Sequence, residues 1–219
     1  YIYGWNPTRG ENGWNFDPGK DFGKDYCTWN WGGSIVVHQL VQHEDGTLGV
    51  CPVESVANAF HHSEKTEIRG LSGNWEHRAD GTLCSSEDGF AAALGSVIPA
   101  QCCIKAKLRY EGTPTRFGLA LQVDEAFDFG YYLMFEPQFN RIQYRSGLRM
   151  YEQGGHMFPY AVEMERALKL EAGKEYEIAL YIQDTIGVLY INNDVAFGFR
   201  MYNWKNRHLG FFVSDGTME

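Results

Sequence analysis

The chain has 219 residues, 44% of them apolar and 15% aromatic, enough to bury a substantial core. Its 28 acidic against 19 basic residues give a net charge of −9 and leave no basic face for a phosphate backbone or an anionic lipid surface, which argues against nucleic acid and membrane partners. No run approaches the roughly 20 apolar residues of a membrane span, and the opening Tyr1-Ile2-Tyr3-Gly4-Trp5 has neither an initiating Met nor the pattern of a signal peptide, as expected of a fragment.

In chain order, Asn6 to Trp31 is rich in Gly, Asn, Asp and Trp without periodicity and reads as a long loop. Ser34 to Gln42 and Thr47 to Val50 flank Glu44-Asp45-Gly46, a hairpin signal, and Pro52 to Phe60 suggests a short linking helix. From Gln101 onward, period-two alternation predicts eight strands: Cys103 to Tyr110, Arg116 to Val123, Tyr131 to Phe135, Arg141 to Arg145, Tyr176 to Gln183, Val188 to Ile191, Ala196 to Tyr202 and Leu209 to Val213. Turn residues separate them, such as Glu111-Gly112-Thr113-Pro114 and Asn192-Asn193-Asp194. Long amphipathic helices are absent, so the predicted class is all-β, two sheets packed as a sandwich. The expected division is residues 1–51, a linker at 52–65 and the sandwich at 66–219.

Sugar sites on β-sandwiches combine aromatic faces with carboxylates, amides and guanidinium groups that bond paired hydroxyls. Glu136, Arg141, Tyr144 and Arg145 lie on adjoining predicted strands, and Asp194 and Arg200 flank the last hairpin, so these six are the candidate carbohydrate-binding residues. The alternative is a solvated sheet face with ion pairs. Tyr131, Tyr132, Phe135 and Phe139 read as core packing. His61, His62 and His77 lack the regular spacing of a zinc site. Asp124, Glu125 and Asp128 read as a solvated acidic turn rather than a calcium loop. No metal or cofactor is expected. The five Cys, with Cys102 and Cys103 adjacent, read as reduced structural thiols, which leans towards the cytoplasm and leaves secretion open.

Two stretches resemble a known family. Tyr3-Gly4-Trp5 with Pro7-Thr8-Arg9, then Trp29-Asn30-Trp31-Gly32-Gly33-Ser34 through Leu40 and Glu44-Asp45-Gly46-Thr47-Leu48, is similar to the end of the catalytic propeller in glycoside hydrolase family 32, the invertases, inulinases and levanases. Gly130 to Pro137 with Asn140-Arg141, Gly187 to Ala196 with Arg200-Met201-Tyr202, and Leu209 to Val213 resemble the concanavalin-like, jelly-roll β-sandwich that follows it. The sequence departs from that pattern at an insertion-like stretch from Glu11 to Thr28, at Asn193-Asp194 and at Arg145-Ser146.

The resemblance implies that residues 1–51 are strands of a last propeller blade, with Trp29, Trp31 and His38 structural at the blade end. It implies as partners the parent propeller and a fructan, sucrose or fructose. The family's aspartate nucleophile, glutamate acid/base and stabilising aspartate belong to motifs missing here, so no catalytic residue is expected in this chain. Three readings follow: a carbohydrate module, a purely structural or dimerising domain, and, least favoured, an independent glycosidase built on Glu136 or Asp194.

Overall fold

The structure, a computed structural model, describes residues 1–8, 30–146, 162–201 and 204–219. Its strands are β1 (Ile2–Thr8), β2 (Asn30–Gln42), β3 (Leu48–Pro52), β4 (Arg69–Ser72), β5 (Asn74–His77), β6 (Thr82–Val97), β7 (Gln101–Leu108), β8 (Tyr110–Glu111), β9 (Arg116–Val123) and β10 (Tyr131–Glu136). There follow β11 (Arg141–Ser146), β12 (Val162–Ala167), β13 (Tyr176–Gln183), β14 (Ile186–Ile191), β15 (Val195–Arg200) and β16 (His208–Met218). The linking helix is one turn, α1 (Glu54–Ala57), much shorter than Pro52 to Phe60: Val53 offers no side-chain cap and no residue of the turn is buried, so nothing prolongs it.

Two compact units arise. The first comprises residues 1–64, 100–106 and 177–205. It holds an antiparallel sheet of order β1-β2-β3 and a four-stranded sheet of order β15-β14-β13-β7. The β14–β15 hairpin turns through Asn192, Asn193 and Asp194, and Asn192 and Asn193 take the left-handed φ, 53° and 51°, that such a tight turn needs. Polar bonds, described below, join the two sheets within this unit.

The second unit comprises residues 65–99, 107–176 and 206–219. Its sheet runs β12-β11-β10-β9-β16-β6-β4, with β5 on β6 and β8 on β16. Strand β6 carries the bulged Ser86 to Gly89 and the run Ala91-Ala92-Ala93, and its strand form comes from long antiparallel pairing with β16. Alternation gives this sheet two faces. On one, Phe117, Leu119, Leu121, Tyr131, Leu133, Phe135 and Ile142 are essentially fully buried, with Phe117 stacked on Phe135 at 5.1 Å. On the other, Leu94, Ala120, Val123, Tyr132, Met134 and Phe212 form an apolar cluster against which Phe127 packs. Gly118 permits the close β9–β10 approach: its φ is +150°, and a Cβ there would sit 2.0 Å from the Leu133 carbonyl oxygen.

Candidate functional site

Antiparallel pairing puts Glu136 opposite Arg141, Met134 opposite Gln143 and Tyr132 opposite Arg145, and so sets these six side chains on one face of the second unit's sheet. Strand β12 adds Glu165 opposite Gln143. A continuous polar ladder results. Arg141 Nε donates to Glu136 Oε2 at 2.7 Å and its Nη1 to Glu165 Oε2 at 3.1 Å. Gln143 Nε2 donates to the same Glu165 oxygen at 3.0 Å, and Arg145 Nε donates to Gln143 Oε1 at 2.8 Å. Arg141 also lies over the Phe139 ring, 4.6 Å from its centroid. Phe139 is thus an exposed seat for a guanidinium rather than the core residue its aromatic run suggested.

Glu136 and Gln143 are buried, at 7% and 1% exposure, while Arg141 and Arg145 are half-buried. Burial pulls the Arg145 guanidinium below its ordinary value, and Arg116 and Arg141 push the same way against Glu136 and Glu165. Arg116, on β9 at this face, keeps a buried Nε with no hydrogen-bond partner. The face therefore offers fixed donors and acceptors in alternation, with the Arg116 Nε still open. That suits paired hydroxyls better than a titrating mechanism, since both carboxylates bond one guanidinium, whereas glycoside hydrolysis needs them flanking a scissile bond. Among the described residues no group of three His, Cys, Asp or Glu is placed to hold a metal.

The remaining sequence candidates fall elsewhere. Tyr144 points to the opposite face, is 3% exposed and stacks on Tyr131 at 5.8 Å with planes 10° apart, because it lies one residue out of phase with Arg141 and Arg145. Arg116, Gln143 and Glu165 were not singled out from the sequence. Alternation from Arg141 would have reached Gln143, but Glu165 arrives only by pairing of β12.

Asp194 and Arg200 belong to the first unit and join its two sheets. Arg200 Nε donates to Asn6 Oδ1 at 3.2 Å, its Nη2 to the Asn6 carbonyl at 2.9 Å and to Ser34 Oγ at 3.3 Å, and its Nη1 to Thr185 Oγ1 at 2.9 Å. Asn6 Nδ2 returns a bond to the Phe199 carbonyl at 3.2 Å. Asp194 bonds His43 Nε2 at 3.0 Å, and its carbonyl accepts from Val50 N at 3.0 Å. His38 Nδ1 lies 2.9 Å from the Tyr190 hydroxyl, and burial holds its imidazole below the ordinary value. Trp29 lies outside the described residues, and of Trp31 the structure describes the β2 backbone.

No protein-family profile and no curated sequence matches the chain. Solved structures do match in fold. The carbohydrate binding module CBM66 from Bacillus subtilis aligns over 69% of this chain and 89% of its own, with 14% identity and a TM-score of 0.57. An exo-inulinase from Aspergillus awamori aligns over 99% of this chain but 38% of its own, with 12% identity and a TM-score of 0.57. A fructosyltransferase from A. japonicus aligns over 99% and 33%, with 11% identity and a TM-score of 0.50. The fold is accordingly the jelly-roll β-sandwich class expected from the sequence, with leading strands as in these larger enzymes, and the chain spans about a third of their length.

Proposed function

We propose that this chain is a non-catalytic β-sandwich module of a fructan-active glycoside hydrolase, and that the Glu136, Arg141, Gln143 and Arg145 face holds a fructose-containing saccharide. The observation that carries the reading is the ladder itself: charged and amide groups, two of them buried, line one face of a sheet beside an apolar cluster of Leu94, Ala120, Tyr132, Met134 and Phe212. Burying such groups costs several kcal/mol unless their bonds are completed, and a polyhydroxylated ligand completes them. The fold likeness to a carbohydrate binding module and to an inulinase supports the choice of ligand.

Affinity gel electrophoresis with levan and inulin, with free fructose as competitor, tests it. Retardation that fructose relieves and that Glu136→Gln or Arg141→Met abolishes is expected. Unretarded migration, together with no calorimetric heat at millimolar fructose, would remove the saccharide reading.

A protein-contact role accompanies it. On the β1–β2 pair, Trp5 opposes Ile35 and Tyr3 opposes Val37. Tyr1, Tyr3, Trp5 and Ile35 of that face are 69%, 68%, 50% and 72% exposed. An apolar surface of this kind favours contact with protein, and the occupant we infer is the propeller of the longer chain. Mixing with a separately expressed propeller should yield a co-eluting complex that Tyr3→Lys with Ile35→Lys disrupts. A concentration-dependent dimer of the isolated chain would assign the surface to self-association instead.

A further inference from the structure

Next to the polar ladder, the same sheet face carries an aromatic corner whose construction is unusual for plain core packing. Phe90 on β6 opposes Ser214 on β16, which opposes Arg116 on β9. These three residues form a lateral row, and Phe90 stands two strand spacings, about 10 Å, from Arg116. Phe90 is 46% exposed. It stacks on Phe212 with centroids 5.8 Å apart and planes 26° apart, and meets Phe127 edge-on at 5.8 Å and 63°.

The backbone beneath Phe90 is pinned on both sides. Asp215 Oδ1 accepts from Gly89 N at 2.8 Å, Ser72 Oγ donates to the Phe90 carbonyl at 3.0 Å, and the same hydroxyl accepts from Ala92 N at 3.1 Å. Phe127 has a left-handed backbone at φ 62°, a conformation bulky residues avoid and that marks strain held by its surroundings. Its ring reaches the sheet because Gly210 has no side chain: a Cβ there would lie 2.6 Å from Phe127 Cε2. The Tyr132 hydroxyl donates to the Phe127 carbonyl at 3.3 Å, and Tyr132 opposes Arg145. The corner and the ladder are thus contiguous.

An exposed ring held rigidly on a floor of Phe212, with an upright second ring as wall, is preorganised for stacking on the apolar face of a pyranose or furanose ring. We propose that Phe90 and Phe127 form a second subsite, which takes the next ring of an oligosaccharide whose terminal unit lies on the Arg and Glu ladder. This rests on the saccharide reading above and deepens it: the ligand is a chain of two or more fructose-type units rather than a monosaccharide.

Isothermal titration of the intact protein with fructose and with fructan oligosaccharides of two to five units separates the two ideas. The wild type is expected to bind a trisaccharide about tenfold more tightly than fructose, the scale of one stacked ring. Phe90→Ala should erase that gain while the fructose affinity stays put, and Arg141→Met should weaken both ligands. Phe127→Gly, which suits the left-handed backbone and so preserves the loop, should also lower the chain-length gain. Affinity that is flat with chain length, or that falls equally for fructose and trisaccharide in Phe90→Ala, overturns the second subsite while the saccharide reading stands. No binding of fructose or of any oligosaccharide overturns both.

Discussion

Replacing Arg200 by Met distinguishes a clamp from a ligand contact. The half-buried guanidinium bonds Asn6 Oδ1, the Asn6 carbonyl, Ser34 Oγ and Thr185 Oγ1. Asn6 is 8% exposed, so both of its oxygens lose a charged donor in a site with little water access. Each buried acceptor left unmade costs about 1–3 kcal/mol, and Met preserves part of the aliphatic packing. A net loss of about 3 kcal/mol follows. For a chain of this size that corresponds to a fall of roughly 6–12 °C in Tm, read by circular dichroism. Arg200→Lys, which retains the charge but not the fork, should fall between. Unchanged affinity for fructan is expected in both variants. A Tm within a degree of wild type, combined with lost saccharide binding, would refute the reasoning and return Arg200 to the candidate ligand residues.

Three other perturbations have signs that the structure fixes. The Cys84 thiol is fully buried and burial pushes it up to about 12, so it should resist a disulfide reagent at pH 7.5 in the native protein and react once urea unfolds it. Gly118→Ala drives a Cβ to 2.0 Å from the Leu133 carbonyl in the middle of the β9–β10 pair; a loss of about 3 kcal/mol or more, or failure to accumulate as soluble protein, is expected in expression and melting assays. His38 is held below its ordinary value by burial, so the unfolded chain binds more protons there. Its contribution is fully present above the unfolded value near 6.5 and is lost as pH falls from there towards the lowered folded value, so Tm should decline over that window and His38→Gln should flatten the decline.

The eight strands read after residue 101 were legible because β-branched and aromatic residues alternate there with a period of two. Strands β4 to β6 and β12 were not. Thr82–Val97 contains Ser85-Ser86-Glu87-Asp88-Gly89 and three consecutive Ala, poor strand formers by themselves, and it is a strand through its partner β16, more than a hundred residues away. Val162–Ala167, with two Glu and an Arg, is likewise extended by pairing with β11. At the candidate site, strict alternation along Arg141–Ser146 sets Arg141 and Arg145 on one face and Tyr144 on the other, so grouping Tyr144 with them as a binding candidate overlooked the period of two. The use made of Arg200 could not be read locally, since its acceptor Asn6 is 194 residues distant.

The arginines of the two units differ in how their bonds are completed. Arg200 ends in a closed set of acceptors, and a closed set has nothing further to offer a ligand. Arg145 instead spends two of its nitrogens on a single neutral amide oxygen, that of Gln143, while burial and two neighbouring guanidinium groups disfavour its charge. A half-buried ladder of this sort adds little stability compared with apolar side chains of equal volume, and such replacements are often neutral or stabilising. Met134 and Tyr132, one strand over on the same face, show that apolar side chains fit there. Stability alone gives little reason for Glu136, Arg141, Gln143, Arg145 and Glu165 to stand together, which supports the proposed recognition of a hydroxyl-rich ligand. The corresponding expectation is that replacing Glu136, Arg141, Gln143, Arg145 and Glu165 together with Met or Leu, so that no buried partner is left unpaired, leaves Tm unchanged or raised while abolishing retardation by fructan.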